Sequence, residues 1–163
     1  MNIWTESLER KHLPLLKSWI GRIPGKLTAN DLPLDPEALT DWFERRALES
    51  GRLDFLVSVY ETPVGVAGLR VCDGEANTAG MYLLLGEANY NPLRTATYAT
   101  LQILDRAFQE CGFDRVCAEV YAKEHKEYLE ALERMGFSKT AEASEKSYAS
   151  IEKKLFLDRK YLF

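Results

Sequence analysis

Residues 105–137, "DRAFQECGFDRVCAEVYAKEHKEYLEALERMGF", read as a helix end, a strand and a second helix, with a glycine closing each helix. Leu93, Ala96, Leu101, Leu104, Ala107 and Phe108 recur at intervals that place them on one helical face. Gly112 then stands where a helix commonly passes into left-handed backbone. "DRVCAEVYA" (114–122) has the composition of a strand, and "KEHKEYLEALERMG" (123–136) returns to helical spacing. Upstream, "AGMYLLLGE" (79–87) is an apolar strand run after the turn "DGEANT" (73–78). A strand, a helix and a further strand in one sheet require a crossover, so 79–87 and 114–122 are expected to be parallel with the 93–111 helix on one face.

Working outward, "LDFLVSVYE" (53–61) and "VGVAGLRVCD" (64–73) flank Thr62-Pro63 and predict an antiparallel hairpin. "NIWTES" (2–7) alternates like a short strand. "SLERKHLPLLKSWIGR" (7–22) carries Leu8, His12, Leu15, Leu16, Trp19 and Ile20 at helical spacing, with Ser7 as N-cap. The Gly- and Pro-rich stretch "GRIPGKLTANDLPLD" (21–35) predicts a loop. Asp35 and Pro36 open a second helix with Leu39, Trp42, Phe43 and Ala47 on one face, ending near Gly51. After residue 136, "FSKTAEASEKSY" and "SIEKKLFLDRKYLF" predict a final polar strand pair. The order β-α-α-β-β-β-α-β-α-β-β describes a mixed α/β fold: a mostly antiparallel sheet, one parallel pair and about four flanking helices.

A chain of 163 residues is expected to form one domain, 1–163. With 46% hydrophobic and 28% charged residues it can bury a core without a disulfide or metal staple. Cys72, Cys111 and Cys117 are odd in number and lack C-x-x-C spacing, so they read as small buried hydrophobes in a reducing compartment. Only His12 and His125 are present, far apart, and no metal site is expected. The net charge of −4 argues against nucleic-acid binding. Met1–Arg10 does not resemble a signal peptide, and no apolar run approaches the ~20 residues of a membrane span. The expected location is the cytoplasm.

The ordered set Phe108, Gly112, the Arg115–Ala122 strand and Gly136-Phe137 resembles the GCN5-related N-acetyltransferase (GNAT) superfamily, closest to its ribosomal-protein and amino-sugar acetylating branches. The resemblance covers residues 53–140 well and the N-terminal helices loosely. It implies acetyl-CoA as cosubstrate, with pantetheine between two splayed parallel strands, here "MYLLLGE" and "RVCAEVYA". Leu84, Leu85 and Gly86 would present backbone groups to it, and an N–H there would stabilise the oxyanion formed when an amine attacks the thioester. The same run is equally a buried core strand.

The family's pyrophosphate loop, Gln/Arg-x-x-Gly-x-Gly/Ala, falls by resemblance on Asn91-Pro92-Leu93-Arg94-Thr95-Ala96, where only Ala96 fits; Thr97 continues the helix. Arg94 replaces a glycine and either obstructs the cradle or supplies charge to a phosphate. Asn91-Pro92 is also a good N-cap and first-turn pair, so an ordinary helix start is the competing reading. In the family a Tyr four residues before the Gly-Phe glycine protonates the departing thiolate. Here that position is Leu132, and Tyr128, one turn earlier on the same face, is the substitute or a core-rim residue. His125 stands at the family's Asn position, as a cofactor contact or a helix-start surface residue. Glu87 and Glu119 are the candidate bases, with a solvated strand face as the alternative for Glu119.

The resemblance implies an acetyl-CoA-dependent N-acetyltransferase acting by direct attack on a small-molecule amine or amino sugar, as monomer or homodimer. Acceptor choice would lie in the region before the sheet, which offers Arg22, Lys26, Asn30 and Asp31. The alternatives are a non-catalytic acyl-CoA-binding module, an interaction domain without cofactor, and a peptide N-terminal acetyltransferase.

Overall fold

A computed structural model describes residues 2–20, 27–87 and 91–159. Seven strands form one sheet in the order β1-β2-β3-β4-β5-β7-β6: β1 (Ile3–Ser7), β2 (Leu53–Val59), β3 (Thr62–Val71), β4 (Thr78–Leu85), β5 (Arg115–Val120), β6 (Ser138–Glu142) and β7 (Ser147–Glu152). Every neighbouring pair is antiparallel except β4 and β5. Five α-helices flank it among the described residues: α1 (Leu13–Ile20), α2 (Leu39–Arg46), α3 (Pro92–Asp105), α4 (Lys126–Met135) and α5 (Lys153–Arg159). No helix among them is long and apolar enough to cross a membrane.

The period-2 pattern of the strands sends successive side chains to opposite faces. On β4, Met81, Leu83 and Leu85 join the core that contains Ala96, Ile103 and Phe108 of the α3 side and Tyr128 and Leu132 of α4. Tyr82 and Leu84 face the other way, into a core with Trp19 of α1 and Trp42 of α2. The α3/α4 side and the α1/α2 side are therefore separated by the sheet itself.

Four details differ from the sequence reading. Ser7 ends β1, and Glu9 rather than Ser7 caps the first helical turn. The hairpin turn is Tyr60-Glu61, with Tyr60 at φ 55°, and Thr62-Pro63 already belongs to β3. The run after β7 is a helix, α5, because Phe156 turns inward to Phe108, with ring centroids 5.4 Å apart. Finally, α3 passes into a π-helical turn at Arg106–Glu110 before Gly112 closes it at φ 74°.

Candidate active site

The parallel pair β4/β5 is joined only over Thr78–Gly80 and Arg115–Cys117. Beyond that point β4 runs on to Leu85 and β5 to Val120 without pairing, which leaves a V-shaped gap in the sheet. The orientation of β4's backbone follows from its ladder with β3. Cys72 N–H donates to Thr78 O (2.9 Å) and Gly86 N–H to Val64 O (2.7 Å), so the even-numbered residues of β4 turn their amides to β3. Leu83 and Leu85 consequently turn theirs to the gap. Of the three residues expected to present backbone groups there, Leu84 and Gly86 face β3 and Leu85 faces the gap.

The chain itself crosses the narrow part of the V. Leu27 N–H donates to Leu83 O (3.3 Å), and Leu83 N–H donates to the Thr28 hydroxyl (2.8 Å). On the other side Ala29 N–H donates to Glu119 O (2.8 Å) and Tyr121 N–H to Leu27 O (3.0 Å). Residues 27–29 thus act as a one-residue strand between β4 and β5, with Thr28 fully buried and bridged to Val120. Asp31, two residues on, is fastened by a bidentate pair from Arg52 (2.6 and 2.8 Å), which fixes this strap to the sheet.

A cleft of about 600 Å³ opens on the α3/α4 side of the strap, lined by Leu27, the start of α3 and the β5–α4 connection. Asn91 is a true N-cap: its Oδ1 accepts from Arg94 N–H (3.1 Å), and Pro92 occupies the first turn. Asn91, Leu93 and Ala96 line the cleft. Arg94 does not; it is exposed and lies over the Tyr98 ring, 5.8 Å from its centroid. Thr95 is buried against the core, and the Thr97 hydroxyl donates to Leu93 O within its own helix (2.8 Å). Two cations the sequence reading passed over, Lys123 and Lys126, line the opposite wall with His125 and with the carboxylates Glu124 and Glu127. His125 Nε2 is buried with no hydrogen-bond partner among the described residues. A helix N-terminus, two lysines and an unsatisfied imidazole nitrogen are groups that suit a polyanionic, amide-bearing ligand such as acetyl-CoA.

Tyr128 reaches this cleft from α4, with its hydroxyl 2.8 Å from Thr100 Oγ1 of α3. Burial pushes its phenol up, only partly offset by the Thr100 hydrogen bond, so the proton stays on the oxygen at neutral pH. Leu132, in the position where the resemblance places a tyrosine, is fully buried in the core.

On the other face lies a second cleft, of about 450 Å³, floored by Gly80, Tyr82 and Cys117. Glu119 lines it, with its carboxylate 3.4 Å from Lys146 Nζ. Asn30, Asp31, Arg70 and Asp73 complete its polar rim. Asn30 and Asp31 are two of the acceptor-side residues the sequence pointed to; Arg22 and Lys26 lie outside the described residues. Glu87 lines neither cleft: its carboxylate accepts the Trp19 indole N–H at 2.8 Å. Gly86 beside it is required, since a Cβ there would meet the Trp19 ring at 2.1 Å. The cysteines also depart from expectation. Cys111 is exposed, and Cys72 and Cys117 are half-buried walls of the second cleft.

A two-cleft, splayed-strand site of this kind agrees with the family comparison, in which the model of the GNAT acetyltransferase domain matches residues 13–138. The chain belongs to the GNAT acetyltransferase family. It is an acyltransferase, and acetyl-CoA is its cosubstrate. Among solved structures, the fold is similar to a spermidine N-acetyltransferase from Vibrio cholerae in complex with CoA and spermine, with a TM-score of 0.80 and 13% identity over 95% of this chain and 98% of that one. An uncharacterized protein from Bacillus halodurans aligns at a TM-score of 0.76 and 16% identity, covering 96% of this chain and 87% of the other. Among proteins of curated function, none matches the sequence.

Proposed function

We propose that the protein transfers the acetyl group of acetyl-CoA to the primary amine of a small cationic acceptor. The observation that carries this is the pair of clefts on opposite faces of one splayed strand pair: one at α3/α4, where Lys123 and Lys126 stand near a helix N-terminus together with Glu124 and Glu127, and a largely acidic one at Gly80–Glu119. Acetyl-CoA supplies the acetyl group as a thioester. Lys123, Lys126 and the capped start of α3 bind its anionic end, and the gap-facing backbone of Leu85 orients the chain near the carbonyl. Among the described residues that line it, the acceptor cleft holds Asp31, Asp73 and Glu119 against Arg70. Asp31 is already neutralised by Arg52 and Arg70 and Glu119 is paired with Lys146, so Asp73 is the lining carboxylate that would attract the far ammonium.

An alkylammonium group, with a pKa near ~10, loses a proton before attack, and Glu119 or a water beside it is the acceptor. The amine lone pair then forms the N–C bond as the C–S bond breaks. The leaving thiolate takes its proton from the Tyr128 hydroxyl, which Thr100 holds in place, and the second proton lost by the acylated nitrogen passes through water in the cleft to restore the phenol. The spermine-bound Vibrio cholerae structure is consistent with a cationic acceptor of this type. An acceptor panel containing a linear diamine, an amino sugar and a neutral amide-bearing amine tests the reading. The diamine is expected to be acetylated with the highest kcat/KM, and Asp73→Asn is expected to raise its KM about three- to tenfold with kcat little changed. Preference for the amino sugar, or an Asp73→Asn variant indistinguishable from wild type, would remove the cationic-acceptor assignment.

A further inference from the structure

The glycines of the sheet are of two kinds. At Gly65, Gly68 and Gly86 a Cβ would fall 2.1–2.4 Å from a neighbouring atom, so these positions are glycine because the fold has no room for more. Gly80 is different. It lies in β4 at an ordinary negative φ, and a Cβ would meet only Cys72 Sγ at 3.5 Å and Arg70 O at 4.0 Å, which is normal van der Waals contact. A glycine inside a strand costs roughly 0.5–1 kcal/mol relative to alanine and leaves nothing to pack. Neither sterics nor backbone conformation explains its presence.

Its place in the sheet does. Gly80 pairs with Cys117 across the last rung before the strands part, and Cys72 reaches over it from the β3 side. All three line the acceptor cleft. Burial, with Cys72 next in weight, pushes the Cys117 thiol up to about 11, and burial raises Cys72 as well. At neutral pH the two walls are uncharged, weakly polar thiols, and the floor between them has no side chain.

We infer that Gly80 is a specificity-determining residue: its missing side chain forms a narrow trough between Cys72 and Cys117 that admits the unbranched methylene chain of an alkylamine acceptor. The trough runs along β4 from the splayed end, where Glu119 stands, toward Asp73 beyond Cys72. An acceptor lying in it presents one amine to the gap and extends its tail toward Asp73. A ring or a branched tail is expected to seat there less well. This rests on the assignment of that cleft to the acceptor.

The test compares wild type with Gly80→Ala and Gly80→Val in steady-state kinetics on a series of linear diamines of increasing length, with thermal unfolding in parallel. Gly80→Ala is expected to raise the diamine KM about tenfold, as one misplaced methyl group in an apolar site does, and Gly80→Val more. The acetyl-CoA KM is expected to stay within about twofold, and the unfolding temperature to hold or rise, because alanine and valine both suit a strand better than glycine. Unchanged diamine KM in both variants, while wild type acetylates the series, would overturn the role of Gly80 alone. A wild-type enzyme that neither acetylates nor binds any diamine would overturn the acceptor cleft and this role with it.

Discussion

The Tyr128 hydroxyl sits between two duties. It is 98% buried, shares a 2.8 Å hydrogen bond with the fully buried Thr100, and still lines the cofactor cleft. Tyr128→Phe removes one partner of that bond and is expected to cost about 1 kcal/mol in stability. As Tyr128 is the proposed proton donor to the thiolate, its loss is also expected to lower kcat at least about tenfold, with acetyl-CoA affinity within twofold. Calorimetric titration and turnover on the same preparation check both. A full kcat in a slightly destabilised variant would make Tyr128 a core residue only. The sequence placed Tyr128 correctly on α4 because i and i+4 share a face, but spacing carries no information about whether a face meets core or cleft. Glu87 illustrates the converse. Its position at the end of β4 was legible, whereas its use as the acceptor for Trp19, 68 residues away, depends on tertiary packing.

At the scale of elements, the start of α3 is an ordinary capped helix whose cationic partners come from elsewhere. Arg94 points over Tyr98, while Lys123 and Lys126 face the cleft from the β5–α4 connection. The double variant Lys123→Glu/Lys126→Glu is expected to weaken CoA binding about ten- to a hundredfold, and more strongly at low salt than at high salt. Arg94→Glu is expected to weaken it less than about threefold. The reverse ranking in calorimetry would return the phosphate contact to Arg94. Lys123 and Lys126 flank His125 in "AKEHKEY" and were readable as cations, but nothing local says that this loop folds back against α3. The parallel strand pair and the helix that joins it were legible, since periodicity and chain order leave one arrangement. The strap was not: "LTA" is too short to carry a strand signal, and its pairing with Leu83 and Glu119 is wholly non-local. α5 was misread for a similar reason, because Phe156 takes its conformation from Phe108 rather than from its neighbours.

Across the whole molecule, one ion-pair network ties the α1/α2 side of the sheet together. Arg52 is nearly fully buried and bonds Asp54, Asp31 and Glu49, and Tyr82 donates to Asp54 at 2.6 Å. Burial pushes the Asp31 carboxyl up, but the hydrogen bonds and charge of Arg52 outweigh it and hold Asp31 below its usual range. Hydrogen bonds from Arg52 and Arg70 lower Glu49 in the same sense. Carboxyls depressed in the folded state bind fewer protons than in the unfolded chain, so their stabilisation is complete above the ordinary carboxylate range, near pH ~4, and is lost as pH falls below it. Urea midpoints are therefore expected to hold from pH 7 to about 5 and to drop steeply below about 4. Glu49→Gln, on the outer edge of the network, is expected to make that drop shallower, and an identical acid limb would show that Glu49 is not coupled to folding.

The central claim is transfer across the splay, from a thioester on the α3/α4 side to a cationic amine on the Gly80 side. Its most direct measurement is mass spectrometry of a diamine incubated with enzyme and acetyl-CoA carrying a ¹³C-labelled acetyl group. The account predicts a diamine bearing one labelled acetyl on nitrogen, formed in step with free CoA. Labelled acetyl-CoA that binds the protein and leaves every amine unmodified would contradict it.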